Sequence, residues 1–465
     1  MVILRVKISY LATVAVAVLL LVLGHRVATQ GLNIFQGNMP EDAAAATVTG
    51  IISSEIVWEE SDDFPYLWHY ERLIFEARIT TGSRKGDFVT VVHANHGESP
   101  KGLSPGDEIF LVYLDDEWAF DGFKQEVVRA TVRSAEIVWV DEDLHHILGD
   151  RTILFTAEIR TGQRRGHTVF ARQSFAGFVQ DASREVAPGD TVLLRSFNDE
   201  WFYNGHYRTN RLFWLGILFT VCVLIFGGKK GFNTILSLVL TCAVVFAVFI
   251  PSILSGMNIY MMAILVCLYT TIMTLLIVIG FNKKSLAAAV GCISGIAVTG
   301  LITVIMDRVL FLTGILDEHS RFLMFLPVEG TINLRAIVFA GIIIGAMGAI
   351  LDVAMSISSA MWEIKESAGK ISFEKLLRSG LTIGRDVFGT MANTLILAYM
   401  GTSLSVILIL LVYTDSLTSL LNMEMIVVEI LQALAGSFGI LFTMPLTSFF
   451  CSTIFLKDRE KVRGS

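Results

Sequence analysis

Charged residues are scarce in this chain: Asp, Glu, Lys and Arg make up 17% of its 465 residues, hydrophobic residues make up 53%, and the mean hydropathy is +0.63. Because so few charges cannot cover a soluble protein of this length, a lipid bilayer is predicted to take up the apolar excess. The sequence also lacks a P-loop, a dinucleotide-binding glycine motif, a G-x-S-x-G elbow and a zincin helix. No catalytic residue and no cofactor are therefore predicted.

Cysteine is missing from residues 27–210, and all five cysteines fall inside apolar runs, at Cys222, Cys242, Cys267, Cys292 and Cys451. No disulfide framework can form in the region 27–210, and a domain of that size has its own core and does not require one. We interpret the five cysteines as small buried apolar residues.

Positive charge is also short in the region 27–210, which has 29 acidic and 16 basic residues and a net charge of −13. Such a domain repels nucleic acid and anionic lipid surfaces. We predict no nucleic-acid partner. A protein or polymer of the cell envelope, or a cation, stays open as a partner of this region.

Eight apolar runs approach or reach the roughly 20 residues that a helix needs to cross the hydrocarbon core of a bilayer. They lie at 8–23, 212–226, 232–250, 259–281, 285–305, 334–362, 387–413 and 426–455. We interpret the first run as an uncleaved membrane anchor, with a signal peptide as the alternative. Residues 306–333 are assigned no span, and an interfacial or re-entrant segment there stays open.

Basic residues predict the orientation of these runs. Fifteen lie on the side shared with Arg5 and Lys7, against about three on the other side, which is a consistent positive-inside bias. Both termini are therefore predicted to be cytoplasmic, and residues 27–210 are predicted to be extracytoplasmic.

The region 27–210 contains an internal duplication with offsets of 80 to 84 residues. ATVTGIISSEIVW at 46–58 recurs as ATVRSAEIVWV at 130–140, FEARITTGSRKG at 75–86 recurs as FTAEIRTGQRRG at 155–166, and PGDEIFLVYLDDEW at 105–118 recurs as PGDTVLLRSFNDEW at 188–201. Short β-branched stretches between Gly and Pro-Gly-Asp turns predict strands. Each copy is predicted to be an OB-like or other small barrel of about five strands.

The predicted fold class is an α-helical polytopic membrane protein with an extracytoplasmic all-β domain made of two tandem repeats. The predicted domains are a membrane anchor at 1–26, β repeats at 27–129 and 130–210, a seven-helix membrane domain at 211–456, and a basic cytoplasmic tail at 457–465.

Small and polar residues recur at helical spacing in the last three runs. They are Gly341, Gly345, Gly348, Asp352, Ser356, Ser359 and Glu363 in the sixth run, Arg385, Asp386, Thr390 and Asn393 in the seventh, and Glu429, Gln432, Gly436, Gly439 and Thr443 in the eighth. A charged side chain in lipid costs about 2.5–3.5 kcal/mol or more unless it faces protein or water. The pattern predicts an intramembrane polar network, or a solute path, that faces the interior of the bundle.

Structural pairing is the competing interpretation of these charges. Asp352 lies about 27 Å along its helix from Leu334, which brings it near the headgroups. Asp352 and Glu363 would then be solvated or paired, with Arg385 as the candidate partner, and Glu429 would lie at the opposite interface.

Two small-xxx-small motifs, GCISG at 291–295 and GIIIG at 341–345, are typical of closely packed membrane helices. Gly291, Gly295, Gly341 and Gly345, together with Gly348, are therefore predicted to lie at helix contacts.

A metal site is not predicted, although all nine histidines fall on the predicted outer side of the membrane. The two repeats do not place His at matching positions, and no Cys/His or HExxH spacing occurs. Trp58 and Trp118 match Trp139 and Trp201 across the repeats. We interpret these matched aromatics as core residues, with a sugar-binding platform as the alternative.

Two longer strings, GAMGAILDVAMSISSAMWEI at 345–364 and GRDVFGTMANTLILAYMG at 384–401, resemble the YibE/F family of bacterial membrane proteins. The resemblance covers roughly residues 210–455 and implies a multi-spanning protein of the bacterial cytoplasmic membrane. It includes Asp352, Ser356, Glu363, Arg385, Asp386 and Asn393, and it implies no established activity for them.

The leading functional hypothesis is a transporter-like or channel-like permease whose last three helices form a polar interior and whose β-domain captures or docks a ligand outside. The alternative is a non-catalytic accessory or assembly protein of the envelope whose β-domain binds a partner. A membrane enzyme is the third reading, and no nucleophile and base arrangement supports it.

Overall fold

The structure is a computed structural model that describes residues 2–29, 43–60, 67–81, 84–95, 105–114, 117–123, 127–139, 151–162, 164–175, 185–197, 200–325, 332–413 and 416–456. These residues form two compact units. One unit contains the N-terminal helix and the helices from Phe219 onward, and the other contains the strands and the chain up to Leu218.

The first half of the strand unit is a five-stranded antiparallel sheet in the order β3-β2-β1-β4-β5. Its strands are β1 (Ala43–Glu60), β2 (Leu67–Ile79), β3 (Phe88–Asn95), β4 (Glu108–Leu114) and β5 (Glu117–Phe123). Phe75, Ile109 and Leu111 are fully buried on one face. The alternation of buried and exposed residues that strands impose gives this half its own core.

The second half is a closed five-stranded barrel in the order β10-β8-β7-β6-β9. Its strands are β6 (Val127–Trp139), β7 (Arg151–Ile159), β8 (Thr168–Phe175), β9 (Thr191–Phe197) and β10 (Glu200–His206). Parallel pairing of Trp201 with Ala171 closes the barrel. Trp201 is only 4% exposed and lies in the core with Phe155 and Leu194.

Backbone hydrogen bonds recur at matching places in the two halves. A strand end donates to the neighbouring strand at Thr80 N to Ala45 O and at Arg160 N to Arg129 O, both 2.7 Å. The Gly of each Pro-Gly-Asp turn donates to a Val carbonyl, at Gly106 N to Val48 O (2.8 Å) and Gly189 N to Val132 O (2.9 Å). The two halves therefore share strand order and turn anchoring, although strand pairing closes only the second among the described strands.

The other described segments are mainly helical. The helices are α1 (Val2–Ala28), α2 (Thr209–Val244), a π-helical turn (Val245–Phe249), α3 (Ile250–Leu254), α4 (Ile259–Val278), α5 (Lys283–Val309), α6 (Glu318–Phe322), a 3-10 turn (Leu323–Phe325), α7 (Leu334–Ala368), α8 (Phe373–Thr402), α9 (Leu404–Tyr413), α10 (Leu417–Asn422) and α11 (Glu424–Leu456).

Six of the described helices are long and apolar enough to cross a membrane, and a seventh span results if α8 and α9, bent by 59°, form one crossing. The eight predicted runs differ from this count because 212–226 and 232–250 lie within one helical stretch, Thr209–Leu254. That stretch is interrupted at Gly228, whose φ of 53° and ψ of −130° are not helical. Glycine reaches this conformation without a Cβ clash.

The N-terminal helix packs on the later helices. The Tyr10 hydroxyl donates to Asn233 Oδ1 at 2.9 Å, and the Tyr269 hydroxyl donates to the Ala17 carbonyl, also at 2.9 Å. Ala17 is fully buried. This helix therefore contributes to the core of the helical unit.

Small residues hold α5 and α11 together. A Cβ added to Gly291 would lie 2.0 Å from Thr447 Oγ1, and one added to Gly295 would lie 1.8 Å from Thr443 Oγ1. On α11, a Cβ on Gly439 would lie 2.0 Å from Thr299 Oγ1. Residue numbers rise along α5 while those of the contacting residues on α11 fall, so the two helices run antiparallel. Small-xxx-small spacing produces this close approach.

Candidate intramembrane polar site

Helix α7 lies at the centre of the candidate site and packs against α4, α5, α8 and α11. Its packing face is apolar and includes Ile343, Ile350 and Ile357, which are at most 1% exposed. The predicted polar residues occupy the other face. Within the chain, Gly341, Gly345, Gly348, Asp352, Ser356 and Glu363 are exposed and Ser359 is half-buried.

Two contacts set α8 antiparallel to α7. A Cβ on Gly345 would lie 2.6 Å from the Tyr399 hydroxyl, and a Cβ on Gly380 would lie 2.5 Å from Met361 Sδ. This register brings Asp352 close to the level of Thr390. Sequence spacing alone did not provide the register, because it depends on how the Gly345 and Gly380 surfaces meet their partners.

Helix α11 reaches the same site from the other side. Gln432 Nε2 would lie 3.5 Å from a Cβ on Gly345, and a Cβ on Gly436 would contact Leu395 Cδ2 at 2.7 Å and Ala346 Cβ at 3.4 Å. Gly345, Tyr399 and Gln432 therefore meet where α7, α8 and α11 converge. Gln432 and Glu429 are both half-buried.

The small residues of the eighth predicted run, which forms α11, face two different sides of the bundle. Gly436 faces α7 and α8, whereas Gly439 and Thr443 face α5, where Thr443 is fully buried. The helical period placed these residues on one stripe, but a stripe of small residues on a buried helix is wide enough to serve two neighbours.

The acidic residues of α7 do not pair with Arg385 among the described contacts. Glu363 instead accepts a 3.2 Å hydrogen bond from Lys284 Nζ on α5. The same lysine lies 5.6 Å from the centre of the Trp362 ring, and Lys365 lies 4.5 Å from it. Glu363 thus belongs to a cluster of lysines and tryptophan at one end of the bundle, and Asp352 does not.

The predicted polar residues of α8 lie on an uncovered face. Arg385, Asp386, Thr390 and Asn393 are all exposed within the chain. Thr390 donates to the Val387 carbonyl of its own helix at 3.0 Å. No partner within the described chain covers this face, so water, lipid or another molecule must contact it.

The predicted packing glycines fall into two groups. Gly291 and Gly295 lie against threonines of α11, and Gly345 lies against Tyr399. Gly341 and Gly348 have no heavy atom within 4 Å of an added Cβ. The first three serve close contacts, and the last two lie on the uncovered face of α7.

Sequence reasoning did not single out Tyr399, Thr299 or Thr447. Tyr399 stands in the motif-bearing string of α8 but carries no charge that would mark it. Thr299 follows Gly295 by four residues, and Thr447 follows Thr443 by four. A spacing of four residues places both threonines on the same helix face as the small residues before them, so the sequence pattern could have been extended to include them.

The strand unit offers no metal cluster: among the described residues, no group of three or more His, Cys, Asp or Glu side chains is arranged to hold a metal ion. Trp201 lies in the barrel core, and Trp118 packs against the core of the first sheet. The side chains of Trp58 and Trp139 lie outside the described part of the chain.

One carboxylate of the strand unit is strongly paired. Glu158 accepts hydrogen bonds from Arg133 Nη2 and, at 2.6 Å, from Arg160 Nη1. The hydrogen bond from Arg133 holds the pKa of Glu158 below its ordinary value, because both arginines stabilise the charged form.

The long apolar helices define the class: this is a multi-pass membrane protein. The YibE/F-like protein family matches residues 215–457, slightly more than half of the chain, so the chain belongs to the YibE/F-like family. Searches of curated proteins and of solved structures gave no match.

Proposed function

We propose that this protein is a transporter-like or channel-like permease whose polar path runs along α7, α8 and α11. One observation carries the proposal: these three helices converge at Gly345, Tyr399 and Gln432, and polar residues continue from there along the uncovered faces of α7 and α8. Asp352 and Asp386 are the charged groups that we assign to the path.

The cost of exposing charge to lipid supports this assignment. A charged side chain at the bilayer centre costs about 2.5–3.5 kcal/mol on insertion scales and more on an isolated helix. Asp352, Arg385 and Asp386 are exposed within the chain and enter no described ion pair. Such a face is stable when it borders a water-filled groove, so we assign it to the wet side of the helices.

The proposed topology has eight crossings in a bacterial cytoplasmic membrane. The break at Gly228 supports two crossings within Thr209–Leu254, because a single 46-residue helix is about twice the length that the hydrocarbon core requires. The positive-inside bias supports cytoplasmic termini and an extracytoplasmic strand unit.

The strand unit is proposed to be a duplicated pair of OB-like barrels that capture or dock a ligand. Support comes from the shared strand order of the two sheets and from the matching hydrogen bonds at Gly106 and Gly189. Five-stranded barrels of this class bind ligands on their sheet face and in their loops.

Ion flux into liposomes tests the permease. The full-length chain is reconstituted, and proton and potassium movement are followed with trapped fluorescent indicators. We expect Asp352→Asn and Asp386→Asn each to lower the flux by roughly tenfold or more, because intramembrane ionisable groups mark ion paths. Glu374→Gln is the matched control, since Glu374 is an exposed acid of α8 whose partner is Arg378 at 2.7 Å.

The permease proposal is wrong if both Asp variants retain the wild-type flux, or if the wild-type protein moves neither ion. A retained flux in the Glu374→Gln control together with a loss in the Asp variants supports it.

An accessory role is the second candidate function. It is favoured by the apolar side chains that the strand unit leaves exposed, above all Phe170, which is 83% exposed on β8 of the barrel. If a partner binds there, Phe170→Ser should abolish co-purification of that partner with the full-length chain while ion flux stays unchanged. Flux that depends on Asp352 would argue against a purely accessory role.

A further inference from the structure

A cavity of 320 Å³ lies at one end of the helical unit, apart from the polar path. Three helix ends line it: Tyr260 is the second residue of α4, Asp307 and Arg308 lie in the last turn of α5, and Arg335 is the second residue of α7. The cavity therefore forms where two helices begin and one ends.

The charged lining of this cavity is mostly positive. Arg308 and Arg335 are two basic residues of the lining, and Asp307 is its one acidic residue. Tyr260 interacts electrostatically with both Asp307 and Arg335. None of these charged residues enters an ion pair in the described chain, so neither arginine is neutralised by a direct partner.

The remaining wall is apolar. Leu312, which is 3% exposed, and Phe339, which is 6% exposed, line the cavity beside the charges. The Phe339 ring also packs on Tyr260, with ring centres 4.9 Å apart. A ligand that combines one anionic group with an apolar part fits a cavity of this mixed character.

The loop that carries Leu312 is held in place from two sides. Glu424, the first residue of α11, accepts hydrogen bonds from Thr313 N at 2.7 Å and from Gly314 N at 2.6 Å. Gly314, at φ 84°, lies so close to α7 that an added Cβ would be 2.7 Å from Arg335 N. The wall is therefore built before any ligand enters.

We propose that this cavity binds an oxyanion, a carboxylate or phosphate group attached to an apolar substituent, through Arg308 and Arg335. Guanidinium groups form paired hydrogen bonds with both kinds of oxyanion. These hydrogen bonds are strong in a partly apolar cavity. Asp307 opposes the anion and limits its affinity. The source is either a free anion or the phosphodiester of a lipid headgroup, and both present the same chemistry.

Thermal unfolding of the full-length chain in alkyl maltoside micelles, which contain no phosphate or carboxylate, tests the proposal. Inorganic phosphate and hexanoate are the free-anion probes, chloride at equal ionic strength is the control, and phosphatidylglycerol added to the micelles is the lipid probe. We expect the ligand to stabilise the chain in a saturable way. Arg308→Gln and Arg335→Gln should each lower the apparent affinity for the ligand by roughly tenfold, because hydrogen bonds to a charged group are lost. Arg321→Gln, an exposed arginine of α6 outside the cavity lining, is expected to match the wild type.

Asp307→Asn gives the sharpest outcome. If the ligand is an anion, the variant should bind it more tightly, because a like charge has been removed. If the ligand were instead bound to Asp307 through a positively charged group, the variant would bind it more weakly. Arg335→Lys keeps the positive charge without the paired geometry and should fall between wild type and Arg335→Gln. Stabilisation by phosphate or hexanoate assigns a free anion, and stabilisation by phosphatidylglycerol alone assigns a lipid. The proposal is overturned if no probe stabilises the chain, if the arginine variants bind like the wild type, or if Asp307→Asn weakens binding.

Discussion

Two faces of the same helix bundle use small and polar residues in opposite ways. Between α5 and α11, Gly295 and Gly439 admit threonines so closely that no further atom fits. On the uncovered face of α7, Gly341 and Gly348 meet nothing, and Asp352 and Ser356 stand beside them. The same residue types at the same spacing thus serve packing at one face and access at the other. What separates them is the neighbour, which spacing does not reveal.

The largest expected effect lies at the packed face. Gly295→Ala places a Cβ 1.8 Å from Thr443 Oγ1, 3.0 Å from Ile350 Cγ2 and close to the backbone of α11. We expect it to lower the free energy of unfolding by about 1–3 kcal/mol through overpacking. Chemical denaturation in mixed micelles measures this. The matched variant Gly341→Ala should be neutral or slightly stabilising, and an equal loss in both would erase the distinction between the two faces.

A smaller effect is expected where the faces meet. Gly345→Ala brings a Cβ to 2.6 Å from the Tyr399 hydroxyl, while the ring carbon behind that oxygen is 3.6 Å away. The variant should lose stability by roughly 1 kcal/mol through local overpacking, and Tyr399→Phe should restore most of it by removing the hydroxyl. A double-mutant cycle measures the coupling. Additive losses would mean that Gly345 and Tyr399 do not share this contact.

The uncovered face should tolerate loss of charge. Asp352→Asn removes a carboxylate that has no described ion pair, so we expect the unfolding free energy to change by less than about 0.5 kcal/mol, in either direction. The same denaturation assay measures it. A fall in the free energy of unfolding of more than about 2 kcal/mol would mean that the Asp352 carboxylate has partners in the folded protein, and it would favour the pairing interpretation.

The last prediction concerns a carboxylate of the strand unit that does have partners. The folded-state pKa of Glu158 is lowered by Arg133, so its contribution to stability is present above its ordinary pKa of 4.5 and is lost as the pH falls through the lowered folded value. Glu158→Gln should therefore be less stable than wild type at neutral pH, and the difference should vanish in acid. A difference that grows on acidification would contradict the pairing.

Sequence alone predicted most of the architecture. Hydropathy found the apolar runs, and the repeated Pro-Gly-Asp strings placed strands in both halves of the region 27–210, because strand and turn chemistry is local. The predicted runs 212–226 and 232–250 lie on either side of Gly228, but the sequence did not reveal the non-helical backbone at that residue or the bend between α8 and α9. Both features depend on single residues in otherwise uniform apolar runs.

The candidate site was only partly accessible from the sequence. Helical spacing selected Asp352, Asn393 and Gln432, but it did not show that Glu363 pairs with Lys284, 79 residues earlier in the chain. Tyr399 escaped because an uncharged aromatic in an apolar helix resembles core. Contacts between helices depend on register and crossing, and neither is written into a one-dimensional period.

The central claim is that the uncovered face of α7 borders water inside the membrane, and thiol labelling tests it most directly. Ser356→Cys in a cysteine-free background, reconstituted in lipid, is exposed to a charged membrane-impermeant maleimide, with Leu301→Cys as the control because Leu301 is an apolar α5 side chain, 62% exposed. We predict that Ser356→Cys reacts and Leu301→Cys does not. The account would be contradicted if Ser356→Cys did not react with this reagent and if the same residue, labelled with a membrane-permeant fluorescent maleimide, were quenched by a probe on the lipid acyl chains.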